Sequence, residues 1–179
     1  MNNMSGNTSN IVLIGMPGSG KSTVGIILAK RTSKDFIDTD VLIQTREGRT
    51  LQDIVDNDGH MVLREIEEKV LLSIDADNHV ISTGGSAAYS KPAMMHLRSK
   101  GVVVFLHADL QTLRNRIGNF ETRGLAKKAD QTFEDLFEER LSLYTQFADV
   151  TVESGGFTQE EVCTEIIRKL GMNDNENVS

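Results

Sequence analysis

Along this chain two hydrophobic periods take turns. Continuous apolar runs, Ile11-Val12-Leu13-Ile14 and Val102-Val103-Val104-Phe105-Leu106, alternate with longer stretches in which apolar residues return every three or four positions. A continuous run of this length is the mark of a parallel strand covered on both faces, and the three-to-four spacing is the mark of a helix with one buried stripe. Shorter strands are predicted at Phe36-Ile37-Asp38, His79–Ser82 and Asp149–Glu153. Helices are predicted from Val24 to about Arg31, from Val41 to about Glu47, and around Leu51, Ile54 and Val55 up to the stop at Asp58-Gly59. Another runs from Met61 to about Ile74, with Val62, Ile66, Val70 and Ile74 on one stripe. The last four start at Ser90-Lys91-Pro92 with proline in the first turn, at Asp109 (ending near Ile117), at Thr132 (to Phe147) and at Thr158 (to Leu170).

Strand and helix thus alternate, which predicts an α/β fold: a five-stranded parallel sheet with helices on both sides, three layers in all. Residues 10–172 read as a single domain, 1–9 as a disordered leader and 173–179 as a disordered tail. Residues 118–130 have weak periodicity, mixed charges and two glycines, so they read as a mobile loop. Sheets of this kind bind ligands beyond the carboxyl ends of their strands. The ends in question carry Gly15–Thr23, Asp38-Thr39-Asp40 and Thr83-Gly84-Gly85-Ser86, which are expected to converge on one cleft, with 118–130 as its lid.

The first of these ends, Gly15-Met16-Pro17-Gly18-Ser19-Gly20-Lys21-Ser22-Thr23, lies between the first strand and the first helix. That is the context in which a G-x-x-x-x-G-K-[ST] match means a P-loop. Glycines let successive amides turn inward as an anion nest at a helix N-terminus, Lys21 reaches the outer phosphates, and the Ser22 hydroxyl ligates Mg²⁺. A nucleoside triphosphate is the expected ligand.

Composition narrows the rest. Hydrophobic residues make up 39% and charged residues 25%, the balance of a globular domain. A net charge of −7 argues against nucleic acid or an anionic membrane as the main partner, though a local group of arginines can still hold an anionic substrate. The single cysteine, Cys163, allows no internal disulfide, and the four histidines have no ligand spacing. No apolar run is long enough to span a membrane. A cytoplasmic monomer is expected.

Asp38 and Asp40 alternate at a strand end, so one is expected to face the magnesium beside Ser22 and the other a second substrate. The alternative use of such residues is strand-end and helix-capping duty. Arg64 has Glu67 three residues on and in reach for pairing, and Arg140 follows two glutamates. Each alone reads as a solvated helix arginine; as a buried pair they would suit an acidic small molecule. Arg114, Arg116 and Arg123 surround the expected lid, and one of them is expected to stabilise charge during phosphoryl transfer.

Taken together, Gly15–Thr23, Asp38-Thr39-Asp40, Gly59-x4-Arg64-x2-Glu67, Thr83-Gly84-Gly85, the Arg116/Arg123 pair and Arg140 with Tyr144 resemble the shikimate kinases, P-loop kinases of the nucleoside monophosphate kinase group. The likeness covers residues 10 to 170. It implies transfer of the ATP γ-phosphate to a hydroxyl of shikimate, an acidic polyol, in aromatic amino-acid (chorismate) biosynthesis. It also implies ATP and nucleotide contacts from Gly18, Ser19, Gly20, Lys21, Ser22, Thr23, Arg116 and Arg123, and metal contacts from Ser22 and, through water, Asp38. Asp40, Arg64, Gly84, Gly85 and Arg140 would hold the acceptor, and Lys21, Asp40 and Arg123 would carry the catalysis.

Three departures fall on the acceptor side. Ser86 stands where the family has a third glycine, Arg123-Gly124-Leu125-Ala126 replaces Arg-Pro-Leu-Leu, and Val55 and Leu63 stand where phenylalanines are usual. Glycine in place of proline at 124 leaves more backbone entropy to lose on closure. The pattern fits either a divergent shikimate kinase or a kinase for a related hydroxy acid, while a nucleotide-dependent binding module would need no intact catalytic positions.

Overall fold

A computed structural model describes residues 10–118, 125–128 and 130–174. Five strands, β1 (Asn10–Ile14), β2 (Asp35–Asp38), β3 (His79–Ser82), β4 (Gly101–His107) and β5 (Val150–Glu153), form one sheet in the order β2-β3-β1-β4-β5. Every pairing is parallel, with Val12 of β1 level with Ile81 on one side and Val103 on the other. The helices are α1 (Lys21–Thr32), α2 (Thr39–Glu47), α3 (Leu51–Asp58), α4 (His60–Leu72), α5 (Lys91–Lys100), α6 (Leu110–Ile117), α7 (Phe133–Phe147) and α8 (Gln159–Leu170). A single turn of 3-10 helix, Ala87–Tyr89, joins β3 to α5.

The central strands show why continuous apolar runs were needed. Val12 and Ile14 of β1, with Val103 and Phe105 of β4, face a core closed by Met94, Leu97, Leu136, Tyr144 and Phe147 of α5 and α7. Their neighbours Ile11, Leu13, Val104 and Leu106 face the opposite core, closed by Val24 and Leu28 of α1 and Val162, Ile166 and Ile167 of α8. A polar residue on either face would be stranded without water, so the period-two pattern of a half-exposed strand is absent. A third, smaller cluster of Ile43, Ile54, Leu63, Val70 and Ala126 packs α2, α3 and α4 together beside the sheet.

Local signals set the boundaries. Thr50, Thr132 and Thr158 form capping boxes with Asp53, Asp135 and Glu161, and Asp38, Ser90 and Asp109 cap α2, α5 and α6. Asp40 is the first correction to the sequence reading. The strand ends at Asp38, and Asp40 lies in the first turn of α2, because the Asp38 carboxylate accepts from the amides of Asp40 and Val41 and starts the helix there. Asp38 and Asp40 are therefore separated by a helix cap, with no strand alternation between them. α4 also stops at Leu72, short of Ile74, where the Ser73 hydroxyl bonds back to the Val70 carbonyl. Asp174, which falls in the expected tail, forms an ion pair with Arg31; that buried guanidinium also donates to the Glu160 carbonyl and to Thr164.

Candidate active site

The loop after β1 turns beneath α6 before α1 begins. Gly18 sits at φ +83°, and a Cβ there would come within 2.6 Å of Ile117 Cγ1, so only glycine lets α6 pack on the loop. α1 starts at Lys21 with left-handed Gly20 before it and no side-chain cap, which leaves its first amides open to an anion. Lys21 is held ready: its ammonium donates to the carbonyls of Gly15 (2.8 Å) and Met16 (3.0 Å). Burial lowers its pKa to about 8, opposed by the nearby Asp40 carboxylate. The Ser22 hydroxyl donates to Asp38 Oδ2 at 2.5 Å, so the two oxygens expected around a metal are already paired. Thr23 lines the cavity, whereas Ser19 is buried, its hydroxyl has no partner among the described residues, and its amide donates to the Met16 carbonyl. Its side chain therefore takes no part in the cavity.

Across the cavity stands the turn after β3. Thr83 anchors it by donating both its amide and its hydroxyl to the Leu13 carbonyl of β1. Gly84 donates its amide to the Thr39 hydroxyl at 3.1 Å, and the Gly85 carbonyl accepts from the Tyr144 hydroxyl at 2.6 Å. A Cβ on Gly84 would meet Glu67 Oε1 at 2.4 Å and Asp40 Oδ1 at 2.7 Å, and one on Gly85 would meet Arg140 at 2.7 Å. Two carboxylates and a guanidinium thus crowd onto a glycine turn. Burial pushes the Asp40 carboxyl up, with Lys21 pulling it back. Burial and Asp40 raise Glu67 to about 7, against a hydrogen bond from Ser86 and the charges of Arg140 and Lys21.

Arg140 is 1% exposed on α7, and its Nη2 donates to the Ala126 carbonyl at 3.0 Å. Arg64 donates to the same oxygen at 3.0 Å and lies 3.6 Å over the ring of Tyr89. Neither is a solvated helix arginine, which corrects the reading of each taken alone, and Arg64 makes no ion pair with Glu67. Their Nε atoms are buried without a partner among the described residues. Arg64 borders a neighbouring cavity of about 290 Å³ that shares Glu67 and Ser86 with the main one. Arg116 reaches the carbonyls of Ser154 (2.7 Å) and Gly18 (3.4 Å), tying the loop after β5 to the phosphate loop. Arg114 pairs with Glu134 of α7, so it is occupied elsewhere. Arg123 lies outside the described residues, as does Gly124, while Leu125 and Ala126 line the cavity. Leu63 lines it too, but Val55 packs against the cluster beneath it.

The main cavity, about 410 Å³, runs from the phosphate loop and Arg116 to Asp40, Glu67 and Arg140. One end is suited to phosphates, the other to a small acid with hydroxyl groups. No three or more His, Cys, Asp or Glu among the described residues gather to hold a metal by themselves. The paired oxygens of Ser22 and Asp38 are hard donors of the kind that magnesium takes beside water and phosphate oxygens. Thr39 and the Ala126 carbonyl had no signal in the sequence. Thr39 works through a turn 45 residues away, and a backbone oxygen has no residue type to read.

A family model described as "Shikimate kinase" matches residues 17–171. A shikimate kinase of Sulfurihydrogenibium sp. is 36% identical over 162 residues, 90% of this chain and 97% of the relative. Among solved structures, shikimate kinase from Acinetobacter baumannii in complex with shikimate superposes with a TM-score of 0.84 at 28% identity, covering 96% of each chain. Shikimate kinase from Aquifex aeolicus gives 0.78 at 34% identity, covering 90% of this chain and 96% of that one. The chain belongs to the shikimate kinase family.

Proposed function

We propose that this enzyme transfers the γ-phosphate of ATP to a hydroxyl of shikimate, giving 3-phosphoshikimate and ADP for aromatic amino-acid (chorismate) biosynthesis. The observation that carries the acceptor assignment is the convergence of Arg64 and Arg140 on one carbonyl oxygen; Arg140 lines the cavity that holds Lys21, and Arg64 borders the cavity beside it. Two guanidiniums whose Nη2 groups already share one carbonyl oxygen are a seat for a carboxylate, which binds arginine by parallel hydrogen bonds.

The reaction follows from the placement. The acceptor's carboxylate takes the place of the Ala126 carbonyl on Arg64 and Arg140, against the Gly84-Gly85 turn. Its hydroxyl then lies at Asp40, whose raised carboxyl pKa suits a proton acceptor. The hydroxyl oxygen bonds to the γ-phosphorus, the bond to the β-phosphate oxygen breaks with its electrons going to ADP, and the proton leaves toward Asp40. Lys21 leaves its two backbone carbonyls for the phosphates, and the open amides at the start of α1 hold the same anion. Ser22 and Asp38 would hold Mg²⁺, which supplies charge neutralisation across the phosphates when bound. Arg116 covers the nucleotide base, and Arg123 acts from the lid, formed by residues 118–130. A monomer in the cytoplasm fits this reading, with no nucleic acid or membrane partner; no helix among the described residues is long and apolar enough to cross a membrane.

The test is ADP release from ATP and Mg²⁺ with and without shikimate, with the phosphorylated product followed directly. Shikimate-dependent turnover is expected, lost in Lys21→Ala and shifted to high acceptor KM in Arg64→Ala and Arg140→Ala. Turnover with another small hydroxy acid and none with shikimate would move the acceptor assignment. ATP binding without transfer to any acceptor would indicate a binding module.

A further inference from the structure

Ser86 follows the Gly84-Gly85 turn, and its side chain has a task. It is 7% exposed, and its hydroxyl donates to Glu67 Oε2. That is the one hydrogen bond to the Glu67 carboxylate among the described residues, since Oε1 has no partner. The bond holds Glu67 against Gly84, in the space a Cβ would fill, with Oε1 beside Asp40. It also holds the carboxylate off Arg64. The two residues lie three apart on α4, a spacing that permits an ion pair, yet Arg64 rests over Tyr89 and donates to Ala126. With glycine at 86, the one hydrogen bond that opposes a swing of Glu67 toward Arg64 would be gone.

We propose that Ser86 is a positioning residue for the acceptor: by pinning Glu67 against Gly84, it keeps that carboxylate from occupying Arg64 and leaves both arginines to the acid group of the acceptor. The inference rests on the function proposed above. The groups facing Glu67 are Lys21 of α1, Asp40 of α2, Arg140 of α7 and the Ser86 hydroxyl. Arg64, on its own helix, is turned away. Of these, Ser86 is the one that donates a hydrogen bond to the carboxylate, so its loss frees the side chain to pair with Arg64, whose charge then favours the ionised form.

The experiment compares the parent protein with Ser86→Ala and Ser86→Thr. Glutamate side-chain carboxyls are titrated by ¹³C NMR without acceptor, with Glu67→Gln assigning the signal, and KM values for shikimate and ATP are measured across pH. Ser86→Ala is expected to raise the acceptor KM about five- to tenfold, the worth of about one such hydrogen bond, with the ATP KM unchanged. The Glu67 midpoint, about 7 in the parent, should fall in Ser86→Ala, because the freed carboxylate pairs with the Arg64 guanidinium. Ser86→Thr keeps the hydroxyl and should restore both values. A raised midpoint, an unchanged midpoint and acceptor KM in Ser86→Ala, or a threonine variant no better than alanine, would overturn the proposal. A parent without shikimate-dependent turnover would fail the functional reading instead, and the NMR midpoints would then decide the role of Ser86 on their own.

Discussion

Tyr144, wholly buried in α7, donates its hydroxyl to the carbonyl of Gly85 at 2.6 Å. A helix on one side of the sheet thereby fixes the backbone of the turn against which the acceptor is proposed to lie. The phenol cannot easily ionise, because burial pushes its pKa up, so it remains a donor across the working pH range.

Tyr144→Phe keeps the ring but leaves the Gly85 carbonyl without this donor. A buried acceptor stripped of its partner costs about 1–2 kcal/mol. Denaturant unfolding should show that loss, and the acceptor KM should rise while the ATP KM stays near the parent value.

Gly84→Ala should cost more at the site than in the fold. The added methyl meets Glu67 Oε1 at 2.4 Å and Asp40 Oδ1 at 2.7 Å, and Glu67 has little freedom to retreat while Ser86 holds it. Overpacking of this kind costs about 1–3 kcal/mol. Thermal unfolding is expected to show a modest drop, and steady-state kinetics a far larger fall in kcat/KM for the acceptor, because both displaced carboxylates border the acceptor end of the cavity.

Glu67 gives the fold a pH dependence of its own. Its folded pKa of about 7 stands above the ordinary glutamate value of 4.5, so the folded state holds a proton that the unfolded state has lost between those limits. Stability from this group is therefore fully present below pH 4.5 and falls as pH rises toward 7. Glu67→Gln should be more stable than the parent above neutrality, by about 1–3 kcal/mol, and closer to it in acid. Melting curves at several pH values check this, and a constant difference across pH would count against it.

Lys21 makes a different prediction. In the nucleotide-free protein its pKa is lowered to about 8, so above that value the amine is largely neutral. Phosphates arriving at the loop favour the charged form and raise the pKa again. ATP binding should therefore take up protons above pH 8, and little below it. Calorimetry in buffers of different ionisation enthalpy would reveal the uptake, and a binding enthalpy independent of buffer at high pH would rule it out.

Most of the frame was legible because it is written in local chemistry. The runs at 11–14 and 102–106 announce strands covered on both faces, the threonine and aspartate caps announce helix starts, and a P-loop between strand and helix announces a phosphate site. Asp40 was misplaced because the sequence does not say which carboxylate will cap the next helix. Asp38 took that role, and α2 therefore began two residues before the expected Val41. Arg64 and Glu67 have the spacing of an ion pair, yet Tyr89 and Ala126 hold one and Ser86 the other. Arg140 reads as a surface arginine among glutamates until α7 packs on the sheet and buries it.

The sequence by itself determined the order of elements, the parallel sheet and the phosphate loop. Periodicity and capping are properties of neighbouring residues, and they survive without any knowledge of the rest of the chain. Only the tertiary structure decided which groups meet: Thr39 with Gly84, Tyr144 with Gly85, Ser86 with Glu67, and two arginines with the carbonyl of Ala126. Those partners are 14 to 62 residues apart. Their pairing is set by how helices seat on the sheet, and each buried polar group then takes whichever partner that packing brings within reach.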